Sequence, residues 1–331
     1  MLSLEQRAIF TSNLKRMRKR ISNFILFTLL GGCSFQLTAQ QAGLIANYDL
    51  VSSIQNPAYN GLNRELRLDA ISRVQWANFP GTPTYTGLAF QAPVNKQFAL
   101  GAAFQNLSVG QFKYASPLSM GSYSVDLAYH AQLGKNVFLS TGLRTGAFTF
   151  NMRISQLIAS QSGDLAKAGN DYSFTSPQVG GGIMLYGKQY FFGVSMPQYA
   201  ITPDRIVENV NLGYNARSYY LLTAGYIHDL GDYFQVKSTI QGRMYEGLPA
   251  VLDANLYFIY DDLLNLGYGY RSTGSHAFLG NVRINDYFQV VYCYEWGKVY
   301  DDQTPFNSTE FGLRYQLNFD KQKTKVVPRH F

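Results

Sequence analysis

Few residues of this 331-residue chain combine into a pattern that could perform catalysis. His228 and Asp229 form an adjacent histidine–carboxylate pair, and Ser275 precedes His276, so pairs suited to nucleophilic hydrolysis are present. Ser275-His276 has no evident third member at strand spacing for a triad. His228-Asp229 precedes the tight turn Gly231-Asp232, on the side opposite to the one where a surface protease would meet its substrate. Phosphate-binding glycine loops, zinc-ligand spacings and glycosidase carboxylate pairs are not found, and the chain has four histidines. We therefore predict that the protein is not an enzyme and uses no metal and no cofactor.

Charged side chains instead stand singly in segments where polar and apolar residues alternate. Between Leu66 and Trp76 the apolar residues fall on one face and the polar residues on the other, and the alternation recurs from Phe234, Phe288 and Phe311. Charges of both signs share the polar face. This mixture favours ion pairs across strands inside a barrel, whereas a selective pore would need its charges organised into a ring. The predicted inward charges are Arg67, Asp69, Arg73, Asp126, Arg144, Lys237, Arg243, Asp253, Arg283, Glu295 and Arg314.

The connections between the alternating segments fall into two classes. Tight turns such as Gly134-Lys135 and Gly231-Asp232 follow every even-numbered segment, whereas most other links are longer, including 152–176 and 198–216. Bacterial outer-membrane barrels place short turns in the periplasm and long loops outside, and a soluble sandwich does not sort its loops in this way. The sequence therefore predicts an all-β fold, an antiparallel transmembrane β-barrel of about 14 strands of the outer-membrane type, with both termini periplasmic. The predicted strands are 64–77, 83–94, 97–107, 119–131, 136–151, 177–187, 190–197, 217–230, 233–245, 249–260, 262–272, 275–285, 287–298 and 308–319.

Composition agrees with a barrel and excludes other classes. Charged residues are 15% of the chain, against roughly 25% in soluble proteins, and another 15% are aromatic, with 25 Tyr and 23 Phe. A mean hydropathy of −0.13 excludes a polytopic helical membrane protein, and the low charge argues against disorder.

The net charge of +7 comes mostly from the first 39 residues. Six basic residues and one acidic residue there leave a net charge of +2 for the rest of the chain. We therefore predict no nucleic-acid binding.

The N-terminal region has the features of an export signal. Met17–Arg20 is basic, Ile21–Leu30 is apolar, and Leu37-Thr38-Ala39 offers a small-residue cleavage site before Gln40. The apolar run is too short to span a membrane comfortably. Lipoprotein processing at Cys33 is the alternative, because Leu30–Cys33 loosely fits a lipoprotein box. The predicted organisation is a signal peptide at 1–39 with an upstream extension at 1–16, a periplasmic segment at 40–63, the barrel at 64–319 and a basic polar tail at 320–331.

The last predicted strand resembles the closing-strand signal that barrel-insertion machinery reads. From Glu310 onward, the strand carries a polar residue, then a glycine, and then lipid-facing hydrophobic residues. The predicted signal residues are Gly312, Tyr315, Leu317 and Phe319. The tail at 320–331 continues past this pattern, unlike the common case.

Three short motifs surround the first strand. Asn56–Gly61 reads Asn-Pro-Ala-Tyr-Asn-Gly, Arg73–Trp76 reads Arg-Val-Gln-Trp, and Gly81–Pro83 reads Gly-Thr-Pro. Proline fixes φ and Asn-Gly accepts positive φ, so we expect the first motif, the box, to be compact at the periplasmic mouth with Tyr59 packed into the lumen opening. Trp76 is predicted to lie in the interfacial aromatic belt. Turn chemistry leaves open whether the box caps the barrel or docks periplasmic partners.

In this order, the three motifs resemble the opening of the PorP/SprF family, outer-membrane proteins of the type IX secretion system. The residues that match are Asn56, Pro57, Ala58, Tyr59, Gly61, Arg73, Gln75, Trp76, Gly81 and Pro83. The resemblance implies a non-enzymatic component that binds and positions secretion machinery or secreted surface proteins, including adhesins in gliding bacteria. It implies as partners periplasmic and outer-membrane secretion components, secreted proteins with C-terminal sorting domains, and outer-membrane lipid. The alternative is a porin or a fatty-acid-transporter-like channel for small solutes.

Overall fold

The computed structural model describes residues 45–110, 118–153, 171–201, 218–245, 249–299 and 304–318. The predicted export signal at 1–39, Phe319 and the predicted tail at 320–331 lie outside these ranges and stay predictions. Within the ranges, no helix combines the length and the apolar character needed to cross a membrane.

Fourteen antiparallel strands form one closed barrel, which confirms the predicted fold class. Each strand pairs with its neighbours in sequence, and the first strand pairs with the last. The strands are β1 Glu65–Val74, β2 Thr84–Pro93, β3 Phe98–Val109, β4 Leu118–Gly134, β5 Val137–Met152, β6 Tyr172–Gly187, β7 Tyr190–Ala200, β8 Tyr219–Asp229, β9 Phe234–Tyr245, β10 Val251–Tyr260, β11 Leu264–Arg271, β12 Ser275–Arg283, β13 Phe288–Val299 and β14 Thr304–Asn318.

The two faces of the wall follow the period-two alternation. Outward side chains are apolar and exposed, as at Leu68 (44%), Val125 (58%) and Leu143 (70%). Inward side chains are polar and buried, as at Arg67 and Asp69. This is the reverse of a soluble sandwich, because apolar side chains face out and charges face in. The outer surface therefore fits a hydrocarbon environment.

The tight turns lie at one end of the barrel. Residues 135–136 and 188–189 each join two strands directly, and Asp261 and Asp262 turn β10 into β11 with φ of +46° and +56°. Positive φ at both central positions matches the twist of an antiparallel hairpin. We call this the short-turn end and the opposite end the long-loop end.

Residues 45–63, which precede β1, lie inside the barrel and are called the plug. The plug contains one helical turn, α1 (Ser52–Gln55), and a 3-10 helix at Pro57–Tyr59. Its apolar side chains, which include Leu50 and Ile54, pack with inward residues of the wall. The box lies near the short-turn end, because a side chain at Gly61 would overlap Ala99, the second residue of β3. This position agrees with the predicted compact element at a mouth of the barrel, and the periplasmic side of that mouth stays a prediction.

The first strand is shorter than predicted. β1 ends at Val74 rather than near residue 77. The backbone of Trp76 is left-handed (φ +56°), and the Gln75 N–H donates to the Pro83 carbonyl at 2.9 Å. Gln75 and Trp76 thus belong to the connection between β1 and β2.

Candidate functional site

The box folds through its own turn chemistry. The Asn56 Oδ1 accepts a hydrogen bond from the Ala58 N–H at 2.9 Å and so caps the 3-10 helix, in which Pro57 is the first residue. The Asn60 N–H donates to the Pro57 carbonyl, and Gly61 has φ of +75°. Asn56 is 2% exposed and Asn60 is 1% exposed. The box is therefore a rigid element that is closed off from solvent.

Asp126 and Arg144 form the central clamp on the plug. They lie opposite each other on β4 and β5 and make a bidentate ion pair, with both N···O distances 2.7 Å. Arg144 also donates to the carbonyls of Ser53 (2.6 Å) and Ile54 (2.5 Å), and Asp126 accepts from the Asn60 Nδ2 at 2.9 Å. One buried pair thus holds both α1 and the end of the box.

Further side chains from four strands of the wall bind the plug backbone. Each satisfies a buried peptide group that would otherwise lose its hydrogen bond to water. Ser140 Oγ donates to the Ala58 carbonyl (2.7 Å), Ser195 Oγ donates to the Gln55 carbonyl (2.8 Å), His130 Nε2 bonds the Asn60 carbonyl (2.9 Å), and the Gly61 N–H donates to Gln91 Oε1 (3.2 Å). The plug is therefore held from β2, β4, β5 and β7.

Glycines of the wall provide the space for the box. A side chain at Gly142 would overlap the backbone of Pro57 and Ala58. A side chain at Gly182 would overlap the Asn56 side chain. Strand glycines often mark the close approach of another backbone, and these two do so.

Tyr59 anchors the box in an apolar cluster. Its ring meets Phe191 edge-on, with 6.1 Å between centroids, and Met184 and Ile227 belong to the same cluster. Burial raises the pKa of the Tyr59 phenol, and a hydrogen bond with Thr223 opposes that shift. Tyr59 is therefore a neutral side chain packed into the short-turn end of the lumen, since Phe191 is the second residue of β7 and Ile227 is the third from the end of β8.

Glu310 holds the N-terminal end of the plug. It accepts from the backbone N–H groups of Ala46 (2.7 Å) and Asn47 (3.0 Å). It also pairs with Arg73 at 2.5 Å, and Arg73 pairs with Glu295 at 2.6 Å. Arg73 of the second motif thus reaches the plug through Glu310.

Two further ion pairs flank the middle of the plug. Arg314 pairs with Asp69 at 2.6 Å and donates to the Leu50 carbonyl at 2.7 Å. Lys237 pairs with Asp49 of the plug at 3.1 Å. The lumen charges therefore bind the plug as well as one another.

The predicted pairing of inward charges is confirmed for most of them. The sequence reasoning missed three members of the network: Asp49, Arg271 and Glu310. Arg271 pairs with Asp253 and Glu295. Glu310 could have been found, since it shares the inward parity of Arg314 on the last strand. Asp49 precedes the first strand, where no alternation assigns a face.

The remaining predicted site residues lie away from the box. The Trp76 N–H donates to Ser308 Oγ (3.0 Å), and its ring meets Phe306 edge-on. Gly81 has φ of +74° and accepts from the Gly110 N–H. With Pro83, whose carbonyl accepts from the Gln75 N–H, these residues shape the β1–β2 connection at the long-loop end.

The closing-strand residues divide between the two faces of β14. Tyr315 and Leu317 are on the outer face, and the Tyr315 ring lies 5.0 Å from that of Phe288. Gly312 faces the lumen, where a side chain would overlap Leu50. Gly312 therefore also makes room for the plug.

A closed barrel with an apolar outer surface, whose polar lumen holds its own N-terminal segment, is a plugged barrel of the outer-membrane type. The sequence of residues 37–315 matches the model of the type IX secretion system membrane protein PorP/SprF. The chain belongs to this family, which confirms the resemblance read from the three motifs.

Several solved structures are similar to this chain. The toluene transporter TbuX of Ralstonia pickettii is 12% identical with a TM-score of 0.49, covering 82% of this chain and 94% of its own. The toluene transporter TodX of Pseudomonas putida is 13% identical with a TM-score of 0.45, covering 84% and 95%. The outer membrane protein Omp33 of Acinetobacter baumannii is 8% identical with a TM-score of 0.44, covering 77% and 100%. No curated protein sequence matches significantly.

Proposed function

We propose that this chain is a non-enzymatic scaffold of the type IX secretion system that does not conduct solutes. It binds and positions secretion machinery or secreted surface proteins at the outer membrane, with both termini on the periplasmic side. The observation that carries this proposal is the plug, which is bound inside the lumen by the Asp126–Arg144 and Arg73–Glu310 pairs.

The packing around the plug supports a closed lumen. One gap beside it, lined by Tyr48, Gln55, Tyr59 and Gln241, has a volume of about 10 Å³. That is room for about one water molecule. Solute passage at this level would require displacement of the plug and the breaking of its buried ion pairs.

Burial also favours a sealing role for the box over direct docking. Asn56 and Tyr59 are 2% and 6% exposed, so a partner at the barrel surface has little of either to contact. A docking surface is better provided by the exposed rim of the short-turn end.

The charges of that rim are divided by sign. Three consecutive turns each carry an exposed lysine, at Lys96, Lys135 and Lys188. The next three turns each carry an exposed aspartate, at Asp232, Asp261 and Asp286. Because turns follow one another around a barrel in chain order, one side of the rim is basic and the other acidic. Such a surface orients a partner with the complementary arrangement.

Conductance tests the closed lumen. We expect the native barrel, reconstituted in planar bilayers, to pass no ion current above the lipid baseline, while a general porin reconstituted alongside conducts. A steady current through the wild-type barrel would contradict the scaffold proposal and support the channel alternative.

Charge reversal tests the rim. We expect the combined variant Lys96→Glu, Lys135→Glu and Lys188→Glu to insert normally but to lower the export of secreted proteins several-fold, because it removes the basic side of the rim. Lys298→Glu, an exposed change near the opposite end of β13, is the control. Normal export by the triple variant would exclude the basic rim as a docking surface.

A further inference from the structure

Arg243 differs from the other buried cations of the lumen. It is 2% exposed, and no carboxylate among the described residues lies within 4.0 Å of its guanidinium. The other buried lumen cations each have a carboxylate within 3.1 Å: Arg67, Arg73, Arg144, Lys237 and Arg271. In the part of the chain that the structure describes, Arg243 is therefore a buried charge without a counter-charge.

Most of the hydrogen-bonding capacity of Arg243 is also unused. Among the residues that the structure describes, its Nε and Nη1 have no hydrogen-bond partner, and its Nη2 donates a long bond of 3.3 Å to Gln241 Oε1. A buried guanidinium normally needs both a counter-charge and hydrogen bonds to offset the loss of water. Departures from this rule are expected where a protein binds a ligand.

The surroundings of Arg243 are suited to an anion. It lies two residues from the long-loop end of β9, where the ring of Tyr245 lies 5.1 Å from that of Tyr219. Tyr219 lies directly opposite Tyr245 on the neighbouring strand β8, so both phenols share the face of the wall that carries Arg243. Hydroxyl groups on this face can donate hydrogen bonds to a negative group held by the guanidinium.

The plug forms the floor of this region. Gln241, which accepts from Arg243, itself donates to the Gln55 side chain of the plug at 2.5 Å. Arg243 thus lies on the long-loop side of the plug.

We propose that Arg243 is the centre of a carboxylate-binding site in the lumen, reached from the long-loop end. A planar carboxylate matches the fork of N–H groups, and its single negative charge balances the single unpaired cation. The carboxylate belongs either to a free organic acid or to a polypeptide that enters the lumen. The site goes beyond the scaffold role and does not depend on it, since a conducting barrel would contradict that role and leave this site intact.

The test uses the native full-length barrel in detergent at constant ionic strength. The midpoint temperature of thermal unfolding of the heat-modifiable barrel is measured in the presence of acetate, hexanoate or hexanol, and of a short peptide with a free or an amidated C-terminus. We expect ligands with a free carboxylate to raise this midpoint saturably, and hexanol and the amidated peptide to leave it unchanged. A response to the small acids indicates a free organic acid, and a response to the acid peptide alone indicates a polypeptide.

Two variants separate ligand binding from a structural role. Arg243→Gln should weaken carboxylate binding about 10-fold or more, because a charged hydrogen bond is lost. Without ligand it should be at least as stable as the wild type, since a buried unpaired charge is removed. Arg144→Gln should be less stable, because it leaves Asp126 without its partner. The proposal is overturned if no carboxylate shifts the wild-type midpoint, if Arg243→Gln retains the full shift, or if it destabilises the empty barrel as much as Arg144→Gln does.

Discussion

Arg73 and Glu310 face each other in register across the seam where β1 meets β14, and their side chains form a buried ion pair. The same Glu310 carboxylate accepts two backbone hydrogen bonds from the plug, at Ala46 and Asn47. Barrel closure and plug binding therefore share one side chain. A change at Glu310 must affect both.

The first prediction concerns this shared carboxylate. Glu310→Gln keeps the shape of the side chain but removes its charge, while Arg73 retains Glu295. We expect a loss of about 1–3 kcal/mol in the free energy of unfolding, because charge-assisted hydrogen bonds at the seam and the plug are weakened. Urea titration of the barrel in detergent measures the loss.

Asp232→Asn, an exposed change in a turn, is the control for the first prediction and should stay within about 0.5 kcal/mol of the wild type. Equal stability of the two variants would contradict a shared role for Glu310.

The second prediction concerns the space that glycine leaves for the box. Gly142→Leu should push the plug out of place, because even a single carbon there overlaps Pro57 and Ala58. We expect a barrel that still inserts but conducts ions in planar bilayers. Gly242→Leu is the matched control, because a side chain there meets nothing nearer than 3.9 Å. A closed Gly142→Leu barrel would mean that the plug is not the barrier.

The third prediction concerns the outer face of the closing strand. Tyr315→Asp puts a charge against lipid and should cost up to about 1 kcal/mol, because Tyr315 pairs with Phe288 at the short-turn end of β13, near the membrane interface. The amount of heat-modifiable barrel in the outer membrane should fall. Gln316→Asp, the next residue on the lumen face, should be tolerated. Equal levels of the two variants would mean that the two faces of this strand are assigned wrongly.

The fourth prediction separates sealing from docking at the box. Replacement of Asn56, Pro57 and Tyr59 together should lower barrel abundance and secretion in proportion, because all three are buried in the lumen. The measured quantity is export activity divided by heat-modifiable barrel, compared with the wild type and with Trp76→Ala. A ratio far below that of the wild type at normal barrel abundance would instead assign the box a docking role.

The strands and their faces could be predicted because the side-chain period of a strand is carried by residues next to each other in sequence. All fourteen predicted strands overlap an observed strand. The end of β1 could not be predicted, because the backbone at Trp76 is left-handed and an aromatic residue type does not indicate that conformation.

The residues that hold the box could not be predicted for a different reason. The turn chemistry of the box is local, whereas its position depends on Gly142, Gly182 and Arg144, which lie far along the chain. These residues act together only after the barrel closes. The motif therefore identified the element and the kind of position it takes, but not the wall residues that hold it.

The glycines beside the plug have a consequence for the mechanics of the wall. Gly180, Gly181 and Gly182 are consecutive in β6, and the register with β7 shifts between Val179 and Gly181. Glycine weakens a strand because it offers no side chain to pack and leaves the backbone free to bend. The plug is hydrogen-bonded to both strands of this arc, from Asn56 Nδ2 to the Ile183 carbonyl of β6 and from Ser195 Oγ of β7 to the Gln55 carbonyl. The segment inside the lumen therefore braces the wall where its own backbone is least constrained by side chains.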